Sequence, residues 1–351
     1  MFNRRNVPLL LMTALLLLLT ALMGVNMSSS LLEGQNTAPL LLKGSVDLPG
    51  YTGDFDHFAV DQARGRLLLA AEDHGTVEVF DLNNGKHLQT IRGFETPHSI
   101  LIRPGAATIL VTDSGKGMSK LLDASTYEVK GVVTLVPGAD SIGYDPKENV
   151  IYIVTGGKDV DMATSELAAV DPDTGKKKRA ITLEDNHVEA MALETNGNRL
   201  FINLTQTNKL AVIDRSNMKI IALWPVPAAQ QNAMVALDES HHRLFVGCRK
   251  PGTVVVMNSD TGAVTNSVPS PLRSDQILFD QSANRLYAPG GEGNIGVYDT
   301  SDPDHLKTIA KVPSAPGAKT GILVPELKQL ILAASPGDTQ AMAKVLTFAV
   351  Q

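Results

Sequence analysis

His57-Phe58-Ala59-Val60-Asp61 leads through Gln62-Ala63-Arg64-Gly65 into Leu67-Leu68-Leu69-Ala70, two apolar strands around a polar turn. A third run, Thr76 to Phe80, ends at Asp81, and Asn83-Asn84-Gly85-Lys86 turns into a fourth, Leu88 to Ile91. The same grammar returns later in the chain. Met234 to Asp238 leads through Glu239-Ser240-His241-His242 into Leu244 to Gly247, Thr253 to Met257 ends at Asn258, and Asp260-Thr261-Gly262 turns into Val264 to Val268. Runs rich in β-branched residues joined by Gly, Asn and Asp turns read as an antiparallel meander. Seven copies can be anchored at Leu67, Ile109, Ile151, Leu200, Leu244, Leu286 and Leu330, with spacings of 42, 42, 49, 44, 42 and 44 residues. A strand-built period in the low forties is the mark of propeller blades.

The third strand ends on a short acceptor in six copies: Asp81, Asp123, Asp171, Asp214, Asn258 and Asp299. Such a side chain can accept turn N–H groups, so these residues are assigned to structure. Asp171 and Asp173 belong with them, because the later acidic ligands of a calcium loop are missing. The last copy runs from near Gly321 through Leu330 to a third strand ending toward Val350, where the chain stops before a fourth strand. An unassigned strand-like segment, Leu40 to Leu48, precedes the first full copy. Pairing it into the final blade would close the ring and satisfy its open edge. The expected fold is all-β: a seven-bladed β-propeller of four-stranded antiparallel blades, completed by an N-terminal strand, over residues 40–351.

The 351 residues are 43% hydrophobic and 19% charged, with a net charge of −6. That balance argues against broad nucleic-acid binding, which needs a basic stripe; Lys176, Lys177, Lys178 and Arg179 form a short basic run after a turn. Cys248 is the only cysteine, so neither an internal disulfide nor a cysteine-cluster metal site is available. At the N-terminus, Arg4 and Arg5 precede an uncharged run from Val7 to Val25. Residues 1–27 therefore read as a signal peptide or an N-terminal membrane anchor, and 28–39 as a flexible linker. The expected location is periplasmic or secreted, with tethering to the inner membrane through residues 7–25 left open.

Leu110-Val111-Thr112-Asp113 and Tyr152-Ile153-Val154-Thr155, with looser forms at Leu244-Phe245-Val246-Gly247 and Leu286-Tyr287-Ala288-Pro289, carry a family resemblance. The turns at Thr174-Gly175 and Thr261-Gly262 fit the same pattern. Over roughly residues 40 to 351 the chain resembles the bacterial YVTN-repeat, YncE-like seven-bladed propellers, a group within the WD40-like superfamily. The resemblance implies the fold. It implies no single function, because propellers of this kind serve ligand binding, DNA binding, lactone hydrolysis and scaffolding.

In a propeller the loops leading into the innermost strands, and those joining second to third strands, share one face. The first set carries Asp56, His57, His98, Asp140, His187, Glu189, Asn232, Asp275 and Lys319, which are expected to surround the mouth of the central channel. The second set adds a rim of Glu72, His74, Asp113, Lys158, Arg249 and Glu292. Carboxylates and imidazoles converging on a channel can recognise a polar ligand or bind a divalent cation; Asp56, His98, Asp140, Glu189 and Asp275 are the metal candidates. No cofactor is otherwise expected. Neither a Gly-x-Ser-x-Gly elbow, a His-Glu-x-x-His helix nor a phosphate loop occurs, and nothing in the sequence favours a Ser-His-Asp triad. The expected function is a monomeric binding or scaffold module that takes a small polar ligand, peptide or protein partner at the mouth. The alternative is a lactonase-like hydrolase using the same carboxylates and histidines, with or without a metal. DNA binding would require Lys158, Arg249, Lys250 and Lys319 to form a basic arc.

Overall fold

The strand Arg66–Ala71 shows how the blades are held: Leu67 and Leu69 enter one buried cluster, and Leu68 and Ala70 the next. Side chains alternate across a strand, so an uninterrupted apolar run is what a strand covered on both faces requires. The computed structural model describes residues 38–351 apart from 117, 228 and 338–340. Residues 1–37, on which the targeting segment and most of the linker fall, lie outside them.

Among the described residues there are seven four-stranded antiparallel sheets. Blade 1 runs Phe58–Asp61, Arg66–Ala71, Thr76–Asp81 and His87–Arg92, in sequence order from the inside outward. Blades 2 to 6 repeat the order, their innermost strands being Pro97–Ile102, Ile142–Asp145, Val188–Leu193, Gln230–Asp238 and Leu278–Asp280. Blade 7 takes Ala318–Val324, Gln329–Ala334 and Ala343–Val350 from the C-terminal end and Leu40–Leu48 as its outermost strand. That strand pairs from Leu40 opposite Val350 to Leu48 opposite Ala343, with one irregularity between Leu42 and Gly44.

The core is not a single mass. Seven buried apolar clusters each join two neighbouring blades, and the one containing Leu48, Val345, Phe58 and Phe80 joins blade 7 to blade 1. Polar contacts reinforce the same seams. Thr112 Oγ1 of blade 2 donates to the Asp140 carbonyl at 3.0 Å, Thr205 Oγ1 of blade 4 donates to the Asn232 carbonyl at 2.6 Å, and Ser335 Oγ accepts the Phe55 N–H at 2.9 Å.

The strand-ending acceptors do what the sequence suggests. Asp81 Oδ1 accepts the N–H groups of Asn83 and Asn84 at 2.9 and 3.1 Å, and Asp123, Asp171 and Asn258 each accept two turn N–H groups in the same way. Gly85, at φ 71°, closes the first of these turns in the left-handed region that glycine occupies without steric cost.

Leu40 and Leu48, 2% and 3% exposed, anchor the two ends of the closing strand in different inter-blade clusters. Leu48→Ala is expected to cost about 2–5 kcal/mol in urea unfolding, and removal of residues 40–48 to leave Ala343–Val350 as an open, aggregation-prone edge. A cost below about 0.5 kcal/mol for Leu48→Ala would contradict the closing role.

Candidate functional site

One position of the repeat builds the mouth of the channel. Asp56, His98, Asp140, Glu189, Ala233, Asp275 and Lys319 follow one another at the 42, 42, 49, 44, 42 and 44 residue intervals of the blades. Each lies near the start of an innermost strand, so the ring sets six charged or ionisable groups and one alanine about a common axis. A second position, at the end of the second strands, gives Glu72, Ser114, Gly156, Thr205, Arg249, Gly291 and Ser335. Most of these residues, though not Ala233, Thr205, Gly291 or Ser335, line a cavity of about 580 Å³ whose walls carry seven carboxylates and three imidazoles against three cationic side chains. A smaller chamber of about 230 Å³ lies against the innermost strands, lined by Ile100, Ile142, Met191, Met234 and Ile277.

Around the ring, opposite charges are neighbours almost everywhere. His98 Nδ1 lies 2.7 Å from Asp56 Oδ2 and 3.7 Å from Asp140 Oδ1, and its Nε2 is 3.0 Å from Ser114 Oγ and 4.0 Å from Glu72 Oε1. Lys319 Nζ sits 2.7 Å from Asp275 Oδ2 and donates to Asp54 Oδ2 at 2.9 Å. Where blade 5 contributes only Ala233, Arg249 reaches into the gap and donates to both flanking members, Glu189 at 2.9 Å and Asp275 at 2.8 Å. His187 Nε2 lies 2.7 Å from the same Glu189 oxygen. Residues two apart on a strand share a side, so His187 and Glu189 belong together; the alternation that separates immediate neighbours does not part them.

This network moves the ionisation of its members. Burial alone would lower the His98 pKa, but Asp140, the hydrogen bond and charge of Asp56, and Glu72 push it up to about 10. Burial pulls Asp56 upward, yet His57, His98 and Lys319 outweigh it and hold the carboxyl well below its usual range. Burial raises Asp140 to about 6 against the pull of His98, helped by Asp56 and Glu189. Glu72 is raised to about 7, chiefly by burial, with His98 opposing and Asp56, Asp73 and Asp140 adding to the rise. These are the ordinary consequences of desolvation and like charge at close range.

Two groups among the described residues bring three metal-ligating atoms within 4.8 Å of one another, Asp56–His57–Asp140 and Asp56–Glu72–His98. Asp56, His57 and His98 are already engaged in hydrogen bonds or close charge pairs. Gln276 Oε1 accepts the Gly321 N–H at 2.8 Å, which turns its amide nitrogen toward His57 Nδ1 at 3.3 Å. A neutral His57 then carries its proton on Nε2, facing Asp56 Oδ1 at 3.5 Å. His98 has Asp56 on one nitrogen and Ser114 on the other. Glu189 and Asp275, named above as metal candidates, are paired with Arg249 and Lys319 instead.

Eight of the nine expected mouth residues line the cavity: Asp56, His57, His98, Asp140, His187, Glu189, Asp275 and Lys319. Asn232 does not. It stands one residue before the ring position, so its side chain turns into the blade, fully buried, and donates to Asn203 Oδ1 at 2.7 Å and the Lys209 carbonyl at 2.8 Å. Of the expected rim, Glu72, Lys158 and Arg249 line the cavity, whereas three residues serve elsewhere. His74 packs its ring 4.4 Å from that of Tyr51, and Glu292 binds Lys311 Nζ at 2.7 Å. Buried Asp113 accepts the N–H groups of Glu95 and Thr96 at 2.9 Å each. Ser114, Asp54 and Gln276 enter the site without having been expected. Ser114 was legible only as the residue one step past Asp113, on the opposite side of the same strand end.

The His98 shift has a signed consequence for stability. A histidine whose folded pKa of about 10 exceeds its unfolded value near 6.5 stabilises the fold fully below pH 6.5 and progressively loses that contribution up to pH 10. The wild type is expected to lose a few kcal/mol between pH 7 and 10, and His98→Gln to lose much less. Parallel melting curves of the two proteins across that range would contradict the assignment.

Residues 54–244, more than half of the chain, match the family model of the choice-of-anchor I domain. Proteins called YncE and described as uncharacterized, from Salmonella typhimurium and Salmonella typhi, are each 21% identical over 248 residues, covering 70% of this chain and 65% of theirs. The matched stretch thus spans under two thirds of those relatives, and the YncE-like resemblance is of this distant degree. A chain from the crystal structure of a mitotic checkpoint complex superposes with a TM-score of 0.72 at 14% identity, over 91% of this chain and 94% of that one, a likeness of fold alone. The chain belongs to the choice-of-anchor I domain family.

Proposed function

We propose that this propeller is a binding module working outside the cytoplasm, and that it seats a small polar ligand or peptide bearing a positive charge at the channel mouth. The observation that carries the reading is the break in the charge alternation. Asp56, His98 and Asp140 alternate in sign, Arg249 neutralises Glu189 and Asp275, and Lys319 returns the ring to Asp54 and Asp275. Between blades 3 and 4, Asp140 is followed around the ring by Glu189 with no cation of the ring between them, and Glu189 adds to the rise that burial gives the Asp140 pKa. An ammonium or guanidinium group placed there would relieve that repulsion, and Asn186, His187 and Lys158 line the cavity beside it. Arg249 and Lys319 are held by carboxylates, so they leave little free positive charge for a nucleic-acid arc. Action outside the cytoplasm is supported by the basic and apolar N-terminal sequence and by the choice-of-anchor family match.

Isothermal titration with a trilysine amide tests this, with succinate as the anionic counterpart. Trilysine is expected to bind, roughly tenfold more weakly to Asp140→Asn. Because Asp140 gains its charge above about pH 6, affinity is expected to fall from pH 8 to pH 5. Preference for succinate, or trilysine binding unaffected by Asp140→Asn, would contradict the proposal.

A further inference from the structure

Ser114, His98 and Asp56 stand in a row that the binding function does not require. Asp56 Oδ2 lies 2.7 Å from His98 Nδ1, and His98 Nε2 lies 3.0 Å from Ser114 Oγ. All three line the open cavity. These are the contacts of a nucleophile, a base and the carboxylate that orients the base, and such sets are recognised by geometry and role whatever the fold or chain order.

Comparison within the repeat shows that the arrangement is not a by-product of blade assembly. At the position equivalent to Ser114, Thr205 and Ser335 use their hydroxyls to tie one blade to the next. The corresponding tie between blades 2 and 3 is made by Thr112, two residues earlier, which donates to the Asp140 carbonyl at 3.0 Å. The Ser114 hydroxyl is thereby released from the seam and turned to His98. His98 occupies the ring position of its blade, where the other members are carboxylates, an alanine and a lysine, so a single imidazole meets this hydroxyl.

We infer that Ser114 is the nucleophile of an esterase or lactonase activity at the channel mouth, with His98 as its base and Asp56 as the residue that positions His98. In the first step Ser114 Oγ bonds to the carbonyl carbon of an ester, its proton passes to His98 Nε2, and the ester C–O bond breaks as that proton is handed to the leaving oxygen. Water then adds to the acyl-serine through the same imidazole, releasing the acid and restoring Ser114. Lys158 lines the same cavity, its Nζ held by Asp159 at 2.9 Å, and is the cation that could turn to a developing oxyanion. The excess of carboxylates in the walls favours neutral or cationic esters over anionic ones.

The charged groups around His98 set the pH at which this can work. Asp56, Glu72 and Asp140 face the ring directly, while His57 and Lys319 act on Asp56, and Glu189 acts on Asp140. They favour the imidazolium, which cannot accept the serine proton, so the reactivity should be alkaline.

The test is labelling of the full chain with a fluorophosphonate, with the adduct located by mass spectrometry. The expected result is an adduct on Ser114 whose rate of formation climbs about tenfold per pH unit from 7 to 9. It should be lost in Ser114→Ala and His98→Gln, with circular dichroism confirming that both variants fold. Asp140→Asn is expected to shift the pH limb downward and to label faster than wild type at pH 7, which a merely structural serine would not do. Absence of labelling across pH 7 to 10, labelling retained in Ser114→Ala, or a limb unmoved by Asp140→Asn would each overturn the inference. None of these results depends on whether trilysine binds.

Discussion

Closure of the ring is the constraint from which the rest follows. Once Leu40–Leu48 pairs with Ala343–Val350, and one apolar cluster joins blade 7 to blade 1, the innermost strands must all face a common axis. One repeat position then becomes a ring, and whatever residues occupy it are forced together. Asp54 and Lys319, 265 residues apart in sequence, meet at 2.9 Å only because the first and last blades are neighbours. The same holds for Gln276 and His57, which are 219 residues apart.

A ring of seven cannot alternate two charges without a fault. Here alternation is kept by His98 between Asp56 and Asp140, by Lys319 beside Asp275, and by Arg249 filling the place that Ala233 leaves open. The fault falls between Asp140 and Glu189. It adds to the rise in the Asp140 pKa that burial begins, and the opposite side of the same balance is the imidazolium character of His98. Site chemistry and blade count are therefore one problem: the carboxylates that draw a cation to the mouth also hold His98 in its charged form.

The architecture was readable because period, strand alternation and turn chemistry all pointed the same way. Leu67 to Ala70 read as a strand covered on both faces, and Asp81 with Gly85 as its turn; both readings meet their physical requirement in the folded chain. Most of the mouth was readable too, since the loops leading into innermost strands are placed by topology. What failed did so at the scale of one residue. Asn232 was expected at the mouth, but the ring position falls on its neighbour Ala233; pleating sends the two to opposite sides, and a register irregularity between Asn232 and Met234 marks the spot. Asp113 and Ser114 trade places for the same reason: the carboxylate caps backbone inside the blade and the hydroxyl faces the channel. Composition alone cannot separate such neighbours; the blade intervals applied residue by residue can.

The central claim is that closure crowds three carboxylates around one imidazole and that His98 answers by staying charged. The direct measurement is a nitrogen-15 NMR titration of the histidine rings, with His98 assigned by comparison with His98→Gln. The account predicts that both His98 nitrogens remain protonated through pH 8 and that the ring titrates near pH 10. A His98 that loses its proton near pH 6.5, as an isolated histidine does, would contradict it.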